Sequence, residues 1–150
     1  MTRLLLVHHT PSPALHTMLS AVRDGAGAPE LAAVEVVTKA ALAATASDVL
    51  AADGYVLGTP ANLGYVSGAL KHFFDTIYYP CLEDTVGRPF GVYVHGNEDV
   101  TGALRAVEVI TTGLRWTQVQ APVVVAGTPD RAARDACWEL GAAVAATLLP

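Results

Sequence analysis

The sequence predicts an α/β fold in three layers, a five-stranded parallel sheet in the order 2-1-3-4-5 with helices on both faces. Three observations lead there. Short apolar runs alternate five times with stretches whose apolar residues recur every three or four positions, a strand period followed by a helix period. The runs are nearly continuous rather than alternating with polar residues, as in strands covered on both faces. Only 15% of the residues are charged and 52% are apolar, with alanine, valine and leucine predominating, which suits parallel strands under small-residue helices. Right-handed crossovers between successive parallel strands then place helices on both sides.

Leu4 to Val7 reads as the first strand. The prolines of the following HHTPSPA forbid both its continuation and an early helix. Leu15, Met18, Leu19 and Val22 keep a helical period until the glycines and proline of GAGAP end it. A second strand is expected at Val34 to Val37. Thr45 or Ser47 can cap a short helix that stops at Asp53-Gly54. DGYVLG, Asp53 to Gly58, is the central strand, and Leu70, Phe73, Phe74 and Ile77 put four large apolar groups on one helix face. YYPCLEDTVGR is expected to be an exposed connection and PFGVYVH the fourth strand. A helix from about Val100 to Leu114 presents Ala103, Val107, Ile110 and Leu114, and PVVVAG makes the fifth strand. Thr128 as cap with Pro129 in the first turn would open the last helix, with Cys137, Leu140, Gly141, Val144 and Leu148 inward.

The 150 residues suit one domain, 1–150, able to bury a sizeable core without disulfide or metal. A net charge of -5, with nine scattered Lys and Arg, argues against a nucleic-acid surface. MTRLLLVHH has too short an apolar run for a signal peptide or a membrane span. Cys81 and Cys137 form no CxxC pair, so a reduced, cytoplasmic protein is expected, with Cys137 a buried small hydrophobe and Cys81 in a loop near the site. Tyr78, Tyr79 and Trp116 read as core or interface residues. Histidines 8, 9 and 95 show no HxxxH or HxH spacing, and no metal is expected.

In a sheet of this order ligands sit at the carboxyl ends of the strands, where the order reverses. That brings together HHTPSPA, GTPANLGYVSG and HGNED. The first loop opens a helix, where backbone amides and the helix dipole favour an anion, and Thr10 and Ser12 add hydroxyls. Pro11 and Pro13 cannot donate, leaving Ser12, Ala14, Leu15 and His16 as amide donors. In the second, Pro60 lacks an N–H, and Gly58 and Gly64 can take φ values that other residues resist, so the backbone can turn its amides outward toward a flat or anionic ligand. A strand-loop-helix corner that binds nothing is the plainer reading of the same residues. No GxGxxG follows the first strand, which argues against tight dinucleotide binding by the Rossmann route, and His8, His9 and Gly58 stand where a phosphoacceptor receiver would carry acids.

GTPANLGYVSGALKHFFD, residues 58 to 75, resembles the second flavin loop of flavodoxin-like FMN proteins, most closely the NAD(P)H-dependent FMN and quinone reductases. Gly58, Thr59, Pro60, Gly64, Ser67, Gly68, Leu70, Lys71, Phe74 and Asp75 carry the match. Thr10 and Ser12 match hydroxyl positions of the family's phosphate loop, while Pro13 replaces a glycine and Leu15 a threonine. The resemblance implies a flavodoxin-like three-layer sandwich holding FMN. His9, Thr10, Ser12, Ala14 and Leu15 would meet the phosphate, and Thr59, Pro60, Ala61, Asn62, Leu63 and Gly64 would lie along the ring. His95, Gly96 and Asn97 would flank its pyrimidine side. Leu63 stands where the family commonly carries an aromatic, Tyr65 is displaced from that place, and Asn62 replaces a frequent arginine. The activity implied is hydride transfer from NAD(P)H, as transient reductant, through FMN to a quinone or other small acceptor, and a homo-oligomer is compatible with it. A flavodoxin-type electron carrier and a flavin-free relative used for interaction are the alternatives.

Overall fold

The computed structural model describes residues 1–150. Its strands are β1 (Thr2–His8), β2 (Val34–Ala40), β3 (Gly54–Asn62), β4 (Tyr65–Val66), β5 (Pro89–His95), β6 (Thr117–Gln118) and β7 (Val123–Val125). The helices are α1 (Pro13–Ala26), α2 (Ala46–Ala51), α3 (Gly68–Cys81), α4 (Thr101–Leu114) and α5 (Arg131–Ala146), with a single 3-10 turn at Pro29–Leu31. Strands run β2-β1-β3-β5, and both β6 and β7 pair in parallel with β5. The expected order is present, with its fifth position split into two short pieces along the same neighbour.

Alternate residues of each central strand serve opposite faces, so one strand feeds two cores. Leu4 and Leu6 of β1, Val56 of β3 and Tyr93 of β5 pack under α1 and α5 with Leu15, Met18, Val22, Leu140 and Val144. Leu5, Val7, Tyr55, Leu57, Val92 and Val94 face the other way, against Leu70, Phe73, Phe74, Ile77 and Val107. Each fully buried Leu, Ile or Phe contributes roughly 1.5–3 kcal/mol. At the amino-terminal end of the sheet the Tyr55 ring stacks on Trp116 at 4.1 Å, and the Trp116 indole N–H donates to the Thr85 hydroxyl at 2.8 Å. Trp116 is thus a core residue, whereas Tyr79 is 80% exposed.

Several boundaries differ from expectation, each for a local reason. Pro13 does not delay α1 but begins it, because its missing N–H falls where a helix has no acceptor to offer. The central strand does not stop at Gly58: β3 runs on to Asn62 and folds back into β4, pairing Ala61 with Val66 and Asn62 with Tyr65. β1 ends at His8 opposite Gly58, so beyond that point a proline removes no ladder bond on that side. α3 continues past Ile77 through Tyr78, Tyr79 and Pro80 to Cys81, so the first part of the expected connection is helical. Cys81 lies in that helix, fully buried, and burial pushes its thiol pKa up, which makes it an inert core group. α5 starts two residues later than the Thr-Pro pair suggests, because the Asp130 carboxylate accepts from the Ala133 N–H at 2.8 Å and wins the cap. Cys137 is buried as expected. No helix is long and apolar enough to cross a membrane.

α1 and α5 approach so closely that two glycines are needed. A Cβ on Gly25 would fall inside the contact radius of the Trp138 carbonyl oxygen, and one on Gly141 inside that of Val22. Gly25→Ala is therefore expected to cost about 1–3 kcal/mol by forcing the helices apart. Urea unfolding checks this: the midpoint should fall with little change in slope, and an unmoved midpoint would mean that the pair can separate freely.

Candidate functional site

The carboxyl ends of β1, β3 and β5 bring the three expected loops to one edge of the sheet, and specific contacts join them. The His9 N–H donates to the Gly58 carbonyl at 3.0 Å, tying the first loop to the second. A Cβ on Gly96 would sit 3.1 Å from the Ala61 Cβ and 2.8 Å from Val100 Cγ1, so the third loop rests against the second. A Cβ on Gly102, in the first turn of α4, would overlap the Gly64 carbonyl oxygen, so α4 presses on the tip of the β3–β4 hairpin.

Ser12 is the cap of α1. Its Oγ accepts from the Leu15 N–H at 3.3 Å, and its carbonyl accepts from the His16 N–H at 3.0 Å. Leu15 and His16 are therefore not free donors, a correction to the sequence expectation, and the Leu15 side chain is buried in the core. What remains is more compact. The amides of Thr10, Ser12 and Ala14 make no hydrogen bond within the chain, and the Ser12 hydroxyl, already an acceptor, keeps its proton to donate outward. Three amides, a hydroxyl and the positive end of a 14-residue helix form a donor set for an anion. Beside it, Thr10 Oγ1 lies 2.7 Å from His8 Nδ1. Burial first, then the charge of Arg23, lowers the pKa of His8 and keeps the ring neutral. His9 Nδ1 is buried without a partner.

In the second loop the turn residues Leu63 and Gly64 both have positive φ, 51° and 77°, the pairing of a two-residue hairpin whose twist matches its strands. Leu63 is fully exposed at the tip and Tyr65 is 47% exposed. An apolar side chain held in a left-handed conformation and offered to solvent is a feature that folding alone does not require. Thr59 points the other way. Its hydroxyl is buried, donates to the Pro60 carbonyl at 2.8 Å and accepts from the Ser67 N–H at 3.2 Å, which sets the start of α3. Gly58 has an ordinary φ, and its need for glycine comes from the Tyr93 ring, which occupies the place of a Cβ.

The third loop is clamped to a fourth that sequence reasoning missed. His95 Nε2 donates to the Gly127 carbonyl at 2.7 Å, Asn97 Oδ1 accepts from the Gly127 N–H at 3.0 Å, and the Gly96 N–H donates to Val125 at 3.1 Å. Gly127, with φ 67°, was expected only as the last residue of the fifth strand, PVVVAG. Asp99 accepts from the Thr101 N–H at 2.9 Å, and its hydrogen bonds to Thr101 hold the carboxyl below the usual range. A surface depression of about 720 Å³ lies elsewhere, beside Arg23, Glu30 and Trp138.

Flavin mononucleotide fits these residues: its phosphate has donors without an opposing acid in the first loop, and a flat ring has an exposed apolar tip at Leu63 and Tyr65. Comparison with known proteins points the same way. A flavodoxin of Aquifex aeolicus (strain VF5) is 38% identical over 77 residues, which are 51% of this chain and 40% of that protein. Among solved structures, a flavodoxin from the domain Archaea superposes with a TM-score of 0.82 at 15% identity, covering 98% of this chain and 99% of its own. A WrbA-like flavodoxin from Agrobacterium tumefaciens gives 0.78 at 18% identity, covering 99% and 98%. At such identities these two establish the flavodoxin-like fold. Residues 8–130 match the family described as NADPH-dependent FMN reductase, and with that match over most of its length the chain belongs to this flavin-dependent oxidoreductase family, whose cofactor is FMN.

Proposed function

We propose that the protein is an FMN-dependent reductase that takes hydride from NAD(P)H and passes electrons to a quinone or another small acceptor. The observation that carries the reading is the set of three unpaired amides and the Ser12 hydroxyl at the start of α1, on the same edge of the sheet as the exposed Leu63 hairpin. FMN, when bound, supplies the hydride-accepting and electron-passing chemistry. The chain's part is to bind and orient. Thr10, Ser12 and Ala14 would hold the phosphate, the backbone of Pro60 to Gly64 would follow the ring, and the Asn97 backbone amide would meet its polar edge, the Gly96 N–H being taken by the Val125 carbonyl. No acid or base of the loops is assigned a proton in this scheme. His8, neutral and paired with Thr10, serves the shape of the first loop. The two unpaired, buried cysteines accord with a reducing compartment, and we place the protein in the cytoplasm.

A carrier that receives electrons from a partner protein is the second reading, favoured by the local similarity to a flavodoxin. The charge balance speaks against it, since fourteen acids are offset by nine bases and give no dense acidic rim. Anaerobic mixing of the FMN-loaded protein with NADPH or NADH separates the two. The oxidised flavin absorbance should bleach within seconds to minutes. Persistence of the oxidised spectrum with both nucleotides, alongside ready reduction by a reductase protein, would replace the enzyme with the carrier.

A further inference from the structure

β2 forms a free edge of the sheet. It pairs with β1 from Thr2 opposite Val34 to His8 opposite Ala40, and no other strand joins it. The Ala41 N–H donates to the His8 carbonyl at 2.7 Å, and because a strand turns its hydrogen-bonding groups alternately to its two sides, Lys39, Val37 and Glu35 also face β1. The N–H and C=O of Val36 and Thr38 therefore point outward. Edges of this length are ordinarily blunted by a proline, a bulge or an unanswered charge. β2 has no proline, and its register with β1 runs without a break. From Glu35 to Lys39 it is half-buried. On one face Val36 and Thr38 line the depression of about 720 Å³ beside Arg23 and Trp138, so α1 leaves that side of the edge open.

The two charges of the strand, Glu35 and Lys39, share a face with Val37, which lies midway between them. Antiparallel two-fold pairing centred on Val37 sets Glu35 opposite Lys39 of a second copy, twice, and sets Val36 opposite Thr38, whose outward amides and carbonyls can then exchange hydrogen bonds. Charge and backbone agree on this register. Centring on Val36 or Thr38 would leave both charges opposite Ala33, Val37 or Ala41, and centring on Glu35 or Lys39 would oppose like charges. Within each copy the Arg3 side chain donates to Glu35 at 3.1 Å, and Lys39 lies 3.9 Å from Asp48. In the pair the signs alternate along Arg3 and Glu35 of one copy, then Lys39 and Asp48 of the other. We propose that β2 is the docking edge for a second copy of this chain, giving a two-fold dimer with one sheet continuous through both. The residues involved lie outside the three flavin loops, so the dimer stands or falls independently of FMN.

The interface is small, and association should be weak and concentration-dependent. Sedimentation velocity over a concentration series of the wild-type protein should show the monomer giving way to a dimer. Lys39→Glu and Glu35→Lys each place like charges opposite one another in the pair, and each should weaken self-association by about tenfold or more. Mixed in equal amounts, the two variants should dimerise again, because one carries two carboxylates and the other two ammonium groups at the facing positions. Thr38→Pro removes an outward N–H without touching the β1 ladder and should also be monomeric; if circular dichroism finds it unfolded, the mixing experiment decides alone. A wild-type protein that stays monomeric overturns the proposal, even if the edge captures a foreign extended peptide. A dimer indifferent to both charge reversals, or one that both weaken and mixing does not restore, overturns it as well.

Discussion

Ser12→Asp is expected to lower FMN affinity by about 100-fold or more, and Ser12→Ala by about tenfold. Ser12 has two roles, and the pair of substitutions separates them. Its Oγ caps α1 by accepting from the Leu15 N–H at 3.3 Å, and its proton faces the loop. Alanine removes both, the outward bond to a charged group being worth roughly 1.5–3 kcal/mol and the cap about 1 kcal/mol. Aspartate keeps the cap, because a carboxylate accepts from the same amide and suits the positive helix end, but sets a negative charge against the phosphate. Ser12→Asp should thus melt at or near the wild-type temperature while binding FMN worse than Ser12→Ala, which should melt lower. Flavin fluorescence quenching and thermal denaturation read the two effects. Wild-type FMN affinity in Ser12→Asp would mean that the phosphate is held elsewhere.

Gly102→Ala should lower FMN affinity by about tenfold or more and stability by about 1–3 kcal/mol. The added methyl overlaps the Gly64 carbonyl, so the first turn of α4 must withdraw or the hairpin must move. The hairpin is the softer partner: β4 has two residues, and the turn already holds Leu63 at φ 51°. Its ring-facing surface shifts while the two cores, built on other residues, persist. Riboflavin should lose as much as FMN, since the damage is on the ring side, whereas Ser12 substitutions should act on FMN more than on riboflavin. Titrations of Gly102→Ala with both flavins check this; unchanged affinity for both would detach the hairpin from the site.

The layers and strand order were legible in the sequence because buried parallel strands and amphipathic helices differ in period, and five alternations leave little choice of topology. The corner from Gly58 to Asp75 was legible as a motif. Less of the site was. Nothing local announces that Ser12 consumes the Leu15 and His16 amides, since that depends on Pro13 starting the helix. Gly58 looks like a conformational glycine and is a packing one, its neighbour Tyr93 lying on another strand. Leu63 in a left-handed turn contradicts its own propensity, and the clamp from His95 and Asn97 to Gly127 joins residues about thirty positions apart. Thr128-Pro129 imitates a helix start so well that only the nearby Asp130 carboxylate displaces it.

The central claim, that the first loop is a working phosphate site despite its two prolines, is tested most directly by titrating the wild-type protein with FMN and with riboflavin under the same conditions. The donor set of three amides and one hydroxyl should make FMN the tighter ligand by at least about 100-fold, the phosphate being the only difference. Equal affinity for the two flavins would contradict the account and reduce HHTPSPA to a proline-stiffened turn.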